Sequence, residues 1–181
     1  MSKNSPKISA LEFRSIIRDM AKNEMVKKMK IYRQHYDTSC YEHCFEVAWY
    51  NYVLCKKLKL DYVSAVRAGM VHDLFLYDWR KPQPGRKRLH AFHHPRIALD
   101  NALKVFDLNK KEQDIILKHM WPLTVVPPKY AESYIITLTD KHCTLKESIK
   151  HYRFAFFGKS KKNSQNIKKE KIKEKEMELE I

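Results

Sequence analysis

The chain has 181 residues, 44% hydrophobic and 12% aromatic, enough to bury one sizeable core without crosslinks and too apolar for a disordered polymer. Only three glycines occur and turn clusters at short intervals are missing, which argues against an all-β sandwich. Lys and Arg outnumber Asp and Glu by 36 to 21. The resulting charge of +15 either serves solubility or attracts anions: nucleotides, nucleic acid, acidic lipid or other phosphorylated ligands.

Helix-start signals recur along the chain. Ser9, Ser39, Asn109 and Thr144 each stand three residues before a Glu (Glu12, Glu42, Glu112, Glu147), the spacing of a capping box, and Asp61 is a further capping residue. The pattern predicts helices over 10–33 (with a break near Asn23), 40–58, 62–75, 95–107, 110–120, 129–142 and 145–156. In the second of these, Phe45, Val47, Ala48, Tyr52 and Leu58 recur at helical rather than alternating spacing. Prolines at 82 and 84 interrupt the stretch between 77 and 90, and three more break Trp121–Pro128. After Gly158 the composition shifts to Lys, Glu, Asn and Gln. The expected organisation is an N-terminal helical segment over 1–34 packed on the core, a helical domain over 35–157, and a Lys/Glu-rich tail over 158–181. That tail reads as a solvated helix or disorder, either a plain extension or a polyanion-binding arm.

The polar N-terminus, Met1–Lys7, lacks the apolar core of a signal peptide, and no run approaches the roughly 18 apolar residues of a membrane span. A cytoplasmic protein with reduced thiols is the expectation. Cys40 and Cys44, one helical turn apart beside His43, raise a thiolate metal site, but no second Cys pair supports it.

The chemistry-bearing pattern is the dyad His72-Asp73 with His43, His94, His119 and Asp140 around it, each near one end of a predicted helix. Imidazole and carboxylate suit divalent first-row metals that activate water and grip phosphate oxygens. Ligands from five separate helices can converge in a bundle core, where all-α proteins build metal sites. Neighbouring helical residues project about 100° apart, so His72 can serve one metal while Asp73 bridges to a second. Asp73 and Asp140 are flanked by apolar residues, and a buried carboxylate needs a cationic partner.

These residues, in the order H…HD…H…H…D, resemble the HD-domain superfamily of metal-dependent phosphohydrolases over roughly residues 33–150. The carrying segments are Tyr41-Glu42-His43-Cys44-Phe45-Glu46-Val47-Ala48, Val71-His72-Asp73, His94-Pro95-Arg96-Ile97-Ala98, Lys118-His119 and Leu138-Thr139-Asp140-Lys141. The resemblance implies an all-α HD-domain helical bundle with the metal site in its core, and hydrolysis of phosphate esters or anhydrides. The two intermediate histidines are the extra ligands of binuclear members, which implies two divalent metal ions, with Fe preferred and Mn, Co, Mg or Zn as alternatives. The chain is most similar to small stand-alone bacterial HD proteins, including those that cleave dinucleoside tetraphosphates with di-iron. It lacks the Gly-Tyr-Pro element of cyclic-di-GMP phosphodiesterases and the Glu-Asp pair of ppGpp hydrolases. For the fourth ligand the resemblance implies His94, directly before Pro95, with His93 as the alternative.

The expected mechanism is attack on phosphorus by a hydroxide bridging the metals. Asp73 would bridge, His43, His72 and Asp140 would complete one metal, and His94 and His119 the other; His72 and Asp73 form the catalytic dyad. Lys141, Arg80, Lys118 and His35 flank the site in sequence and are the expected contacts to a phosphorylated small molecule such as a nucleotide. Asp78 is placed to support a ligand histidine or to cap its loop. The competing expectation is a nucleotide- or RNA-binding regulator with a structural metal, drawing on the basic tail and the Trp79-Arg80 pair.

Overall fold

The computed structural model describes residues 6–81 and 89–178, with side chains through residue 156. It opens with three short helices, α1 (Ala10–Ile16), α2 (Arg18–Lys22) and α3 (Glu24–Lys28), where one broken helix over 10–33 was expected. Ser9 and Asn23 cap the first and third by accepting from the N–H groups of Glu12 and Met25. The helical stretch ends at Lys28, and the chain turns into a hairpin of β1 (Arg33–His35) and β2 (Thr38–Ser39). Nothing in the sequence announces this turn, which uses Tyr36 at φ 50° where hairpins favour Gly or Asn.

Helix α4 (Cys40–Lys57) starts at a complete capping box, in which Ser39 Oγ accepts from Glu42 N–H and the Glu42 carboxylate accepts from Ser39 N–H. It buries Cys40, His43, Cys44, Val47, Ala48, Asn51, Tyr52 and Cys55, an i, i+3, i+4 stripe. This stripe packs along α5 (Tyr62–Val71), which Asp61 caps. The approach is tight enough to require glycine. A Cβ on Gly69 would lie 2.8 Å from Asn51 Nδ2 and 3.0 Å from Ala48 Cα. Helix α5 ends at Val71, four residues short of the expected 75, and Leu74 and Phe75 are buried in the loop that follows.

Helix α6 (His90–Leu103) begins five residues before the expected 95, so Pro95 is internal and leaves the Ala91 carbonyl without its helical donor. Helix α7 (Lys110–Lys118) starts at the Asn109–Glu112 capping box. It stops at Lys118 rather than 120, because Pro122 biases the residue before it away from helical backbone. Helix α8 (Ala131–Glu178) is one helix where two were expected. Thr144 is interior to it and caps nothing; its partner in the expected box, Glu147, is turned into the protein.

Helices α4, α5, α7 and α8 form the body, with α6 against α5 and α7. Phe13, Met20, Val26 and Met29 from the N-terminal helices share one core with Val47, Tyr52, Met70, Ile115, Ile116 and Ile136. Glu12 fastens α1 to this body by accepting from Tyr52 Oη at 2.6 Å and Tyr62 Oη at 2.8 Å while pairing with Lys56. Asn51 joins three helices: it donates to Ala65 O at 3.0 Å and accepts from Thr139 Oγ1 at 2.6 Å. Among the described residues the protein is thus mostly helical, with eight helices and one short hairpin. No described helix is long and apolar enough to cross a membrane. The side chains of the tail over 158–181 lie outside the described residues.

Candidate metal centre

Five helices each deliver part of one buried cluster. His43 comes from the first turns of α4, His72 and Asp73 from the end of α5, and His94 from α6. His119 comes from the end of α7 and Asp140 from α8. Three sets place their ligand atoms within 4.8 Å of one another: His43, His72 and Asp73; His72, His119 and Asp140; and Asp73, His94 and His119. His93, the alternative to His94, takes no part. The cysteines are also outside these sets; Cys40 Sγ instead donates to the Asp73 carbonyl at 3.0 Å.

Backbone carbonyls fix how the rings face. His72 Nδ1 lies 2.8 Å from Gly69 O, His94 Nδ1 3.1 Å from His90 O, and His119 Nδ1 2.7 Å from Ile116 O. A carbonyl oxygen only accepts, so each Nδ1 must donate, and each Nε2 is aimed into the cluster. His94 Nε2 and His119 Nε2 stand 2.8 Å apart. With each Nδ1 proton committed to a carbonyl, an uncharged ring presents only its Nε2 lone pair to that gap. Asp73 Oδ1 lies 3.1 Å from one and 3.5 Å from the other, yet it and His72 Nε2 are buried without a hydrogen-bond partner. An orphaned carboxylate oxygen such as Asp73 Oδ1 is costly in protein and is what a cation satisfies. The donor set therefore fits a metal.

Two residues that the sequence did not assign to the site complete the cluster. The carboxylate of Glu147 meets His43 Nδ1 at 2.9 Å, leaving His43 Nε2 toward Asp140 Oδ1 at 3.0 Å. Gln34, on β1, donates from Nε2 to Asp73 Oδ2 at 2.5 Å and accepts the Trp79 indole N–H on its backbone carbonyl. Glu147 was hidden by its resemblance to a cap residue, and Gln34 by the unannounced hairpin. Both carry the outer-shell contacts that orient ligands in metal sites.

Electrostatically the cluster has two halves. Burial disfavours charge on His43 and His72, but the carboxylates outweigh it: Asp140 and Glu147 for His43, Asp73 foremost for His72. Both rings are held well above the usual imidazole range, and the same contacts hold Asp73 and Asp140 well below the usual carboxylate range despite burial. His119 goes the other way, pushed down to about 3 by burial and the neighbouring His94. The carboxylates thus draw positive charge toward the His43–His72 half of the cluster, while the surroundings of His119 disfavour it.

The cluster forms the floor of a cleft of about 1120 Å³. Asp73, His94, His119 and Asp140 are at its base, and Leu89, Phe92, Met120, Leu123 and Leu145 supply apolar walls. Of the four expected substrate contacts, His35, Arg80 and Lys141 line it and Lys118 does not. Arg80 rests on Asp78 at 3.0 and 3.3 Å, and Lys141 Nζ donates to Trp121 O at 2.9 Å. Asp78 thus holds the Arg80 side chain and also caps its loop, accepting from Arg80 N–H at 3.1 Å. A stack of Trp79, His90 and His94, with neighbouring centroids 5.4 and 4.6 Å apart, closes one side. No protein-family description, curated protein or solved structure matches the chain.

Proposed function

We propose that the chain is an HD-type metal-dependent phosphohydrolase that cleaves a phosphate ester or anhydride, with a nucleotide as the first candidate substrate. The observation that carries this reading is the division of Asp73 between two groups of ligands. Its Oδ2 faces His72 at 3.5 Å, and its Oδ1 faces His94 and His119 at 3.1 and 3.5 Å. With two divalent ions bound, Asp73 would offer one oxygen to each. His43, His72 and Asp140 would hold one, and His94 and His119 the other, with Fe preferred and Mn, Co, Mg or Zn as alternatives. Bound there, divalent ions supply Lewis acidity toward a phosphoryl oxygen and lower the pKa of coordinated water toward about 7.

The chain's own residues do the rest. The Nδ1 contacts lock the rings so that no ligand has to reorganise when charge develops. Lys141, Arg80 and His35 stand along the cleft above the cluster, placed to hold the phosphate. The apolar walls receive the organic part of the substrate and keep bulk water from the reacting phosphorus.

The test is hydrolysis of a panel of phosphomonoesters, phosphodiesters and nucleoside polyphosphates, with each of Fe(II), Mn, Co, Mg and Zn. Turnover that Asp73→Asn abolishes and Lys118→Ala leaves intact is the expected result. A metal-loaded protein that turns over nothing in the panel overturns the reading.

A further inference from the structure

Helix α8 has a second face that neither the core nor the cluster uses. Tyr134, Leu138, Leu145, Ile149, Tyr152 and Phe156 recur at spacings of three, four or seven, which places them in one stripe along the helix. All are solvent-exposed, from 40% for Tyr134 to 81% for Phe156. The loop before α8 extends the stripe. Its Leu123 shares the cleft wall with Leu145, its Trp121 packs edge-on against Tyr134, and Val125 is 87% exposed. A continuous apolar surface of this kind marks an interaction site.

Charge selects the partner. Between Leu138 and Phe156 every exposed side chain of fixed charge is basic: Lys141, Lys146, Lys150 and Arg153. The only acids in that segment, Asp140 and Glu147, are turned into the cluster. Glu46 of α4 pairs with Lys146, Asp37 of the hairpin turn lies 4.0 Å from His151, and Glu42 of α4 is close enough to Lys150 to be held lower by its charge; among the described residues neither Lys150 nor Arg153 is in an ion pair. A second copy would bring the same cations against them, on a chain that carries +15 overall. By helical spacing Lys141 and Arg153 border the stripe, while Lys146 and Lys150 lie further round toward α4. An aliphatic and aromatic stripe flanked by cations is the pattern of a helix lying in the plane of an anionic membrane, its cation stems reaching up to the headgroups.

We infer that this face of α8 and the 121–128 loop dock on an anionic phospholipid bilayer. The helix lies on the surface and does not span it. The inference is independent of the phosphohydrolase reading, although Leu123 and Leu145 also place the mouth of the cleft beside the docked face.

Co-sedimentation of the full chain with vesicles tests it, comparing phosphatidylcholine alone with phosphatidylcholine containing phosphatidylglycerol. The expected result is binding to the anionic vesicles that weakens with salt, and little binding to the neutral ones. Ile149→Glu with Phe156→Glu should abolish it, and Arg153→Gln should weaken it by about fivefold. None of these residues touches the cluster, so unchanged helicity and metal content in the variants confirm that the fold is intact. Wild-type protein left in the supernatant overturns the proposal. So does binding that survives the double Glu substitution, which assigns it to the basic tail. Dimers in vesicle-free solution that Ile149→Glu separates overturn it in favour of a second copy.

Discussion

His72 and His119 are held by the same device on two different helices. Each is the first residue past its helix and donates from Nδ1 to the carbonyl three residues back, Gly69 O at 2.8 Å and Ile116 O at 2.7 Å. A helix end supplies carbonyls without intrahelical donors, so a histidine there satisfies the backbone and acquires a fixed orientation in one contact. Nitrogen-15 spectra of Zn-loaded protein should therefore show both rings, and His94, protonated at Nδ1 alone. A proton on Nε2 of any of them in the loaded protein would contradict this geometry.

His43 is held differently, by the Glu147 carboxylate at 2.9 Å. Removing it in Glu147→Ala should weaken metal binding by about 10–100-fold, the usual effect of losing an outer-shell partner of a ligand. Glu147→Gln keeps an acceptor and should recover part of the loss. Competitive chelation measures both, and equal affinities for all three proteins would reduce Glu147 to a space-filling role.

The α4–α5 contact tolerates no side chain at Gly69. A methyl there would stand 3.0 Å from Ala48 Cα and 3.3 Å from Ala48 N, both fixed helix backbone, so the helices must separate. Gly69→Ala should cost about 1–3 kcal/mol through overpacking, outweighing its gain in helix propensity. At roughly 2–4 °C per kcal/mol for a domain of this length, thermal unfolding will read that directly. Metal affinity should fall as well, since Gly69 O orients His72.

Glu12 gives the fold a pH dependence. Hydrogen bonds from Lys56, then Tyr52 and Tyr62, lower its carboxyl from an ordinary 4.5 to about 2. The folded state therefore favours the ionised form. Its stabilisation is complete above about pH 4.5 and is lost as the pH falls through 4.5 toward 2. Glu12→Gln should be less stable than wild type at pH 7, with the gap closing between pH 4.5 and 2 in denaturant titrations. A gap that stays constant across that range would remove Glu12 as the source.

The candidate ligands were legible because their chemistry is rare at the ends of helices. The five elements that meet at the cluster and the six residues they bring to it follow from residue type and order, and of His93 and His94 only the latter reaches the cluster. What sequence concealed depends on contacts distant in the chain. Thr144 and Glu147 form a cap signature that also fits two successive turns of an uninterrupted helix, and only the docking of α8 beside His43 decides between them. Pro95 reads as a helix start, yet His90 to His94 form a turn ahead of it, with His94 Nδ1 on the His90 carbonyl. Gln34 has no signal beyond its place in the hairpin, because Tyr36 adopts a positive φ that no local rule assigns to tyrosine.

The most direct test of the central claim is the metal content of protein purified without chelator, for wild type and Asp73→Ala. Bridging by Asp73 predicts about two equivalents of divalent metal per wild-type chain and at most one in the variant. Wild-type protein that holds none, and takes up none when offered Fe(II), Mn, Co, Mg or Zn, would contradict a metal centre at this cluster.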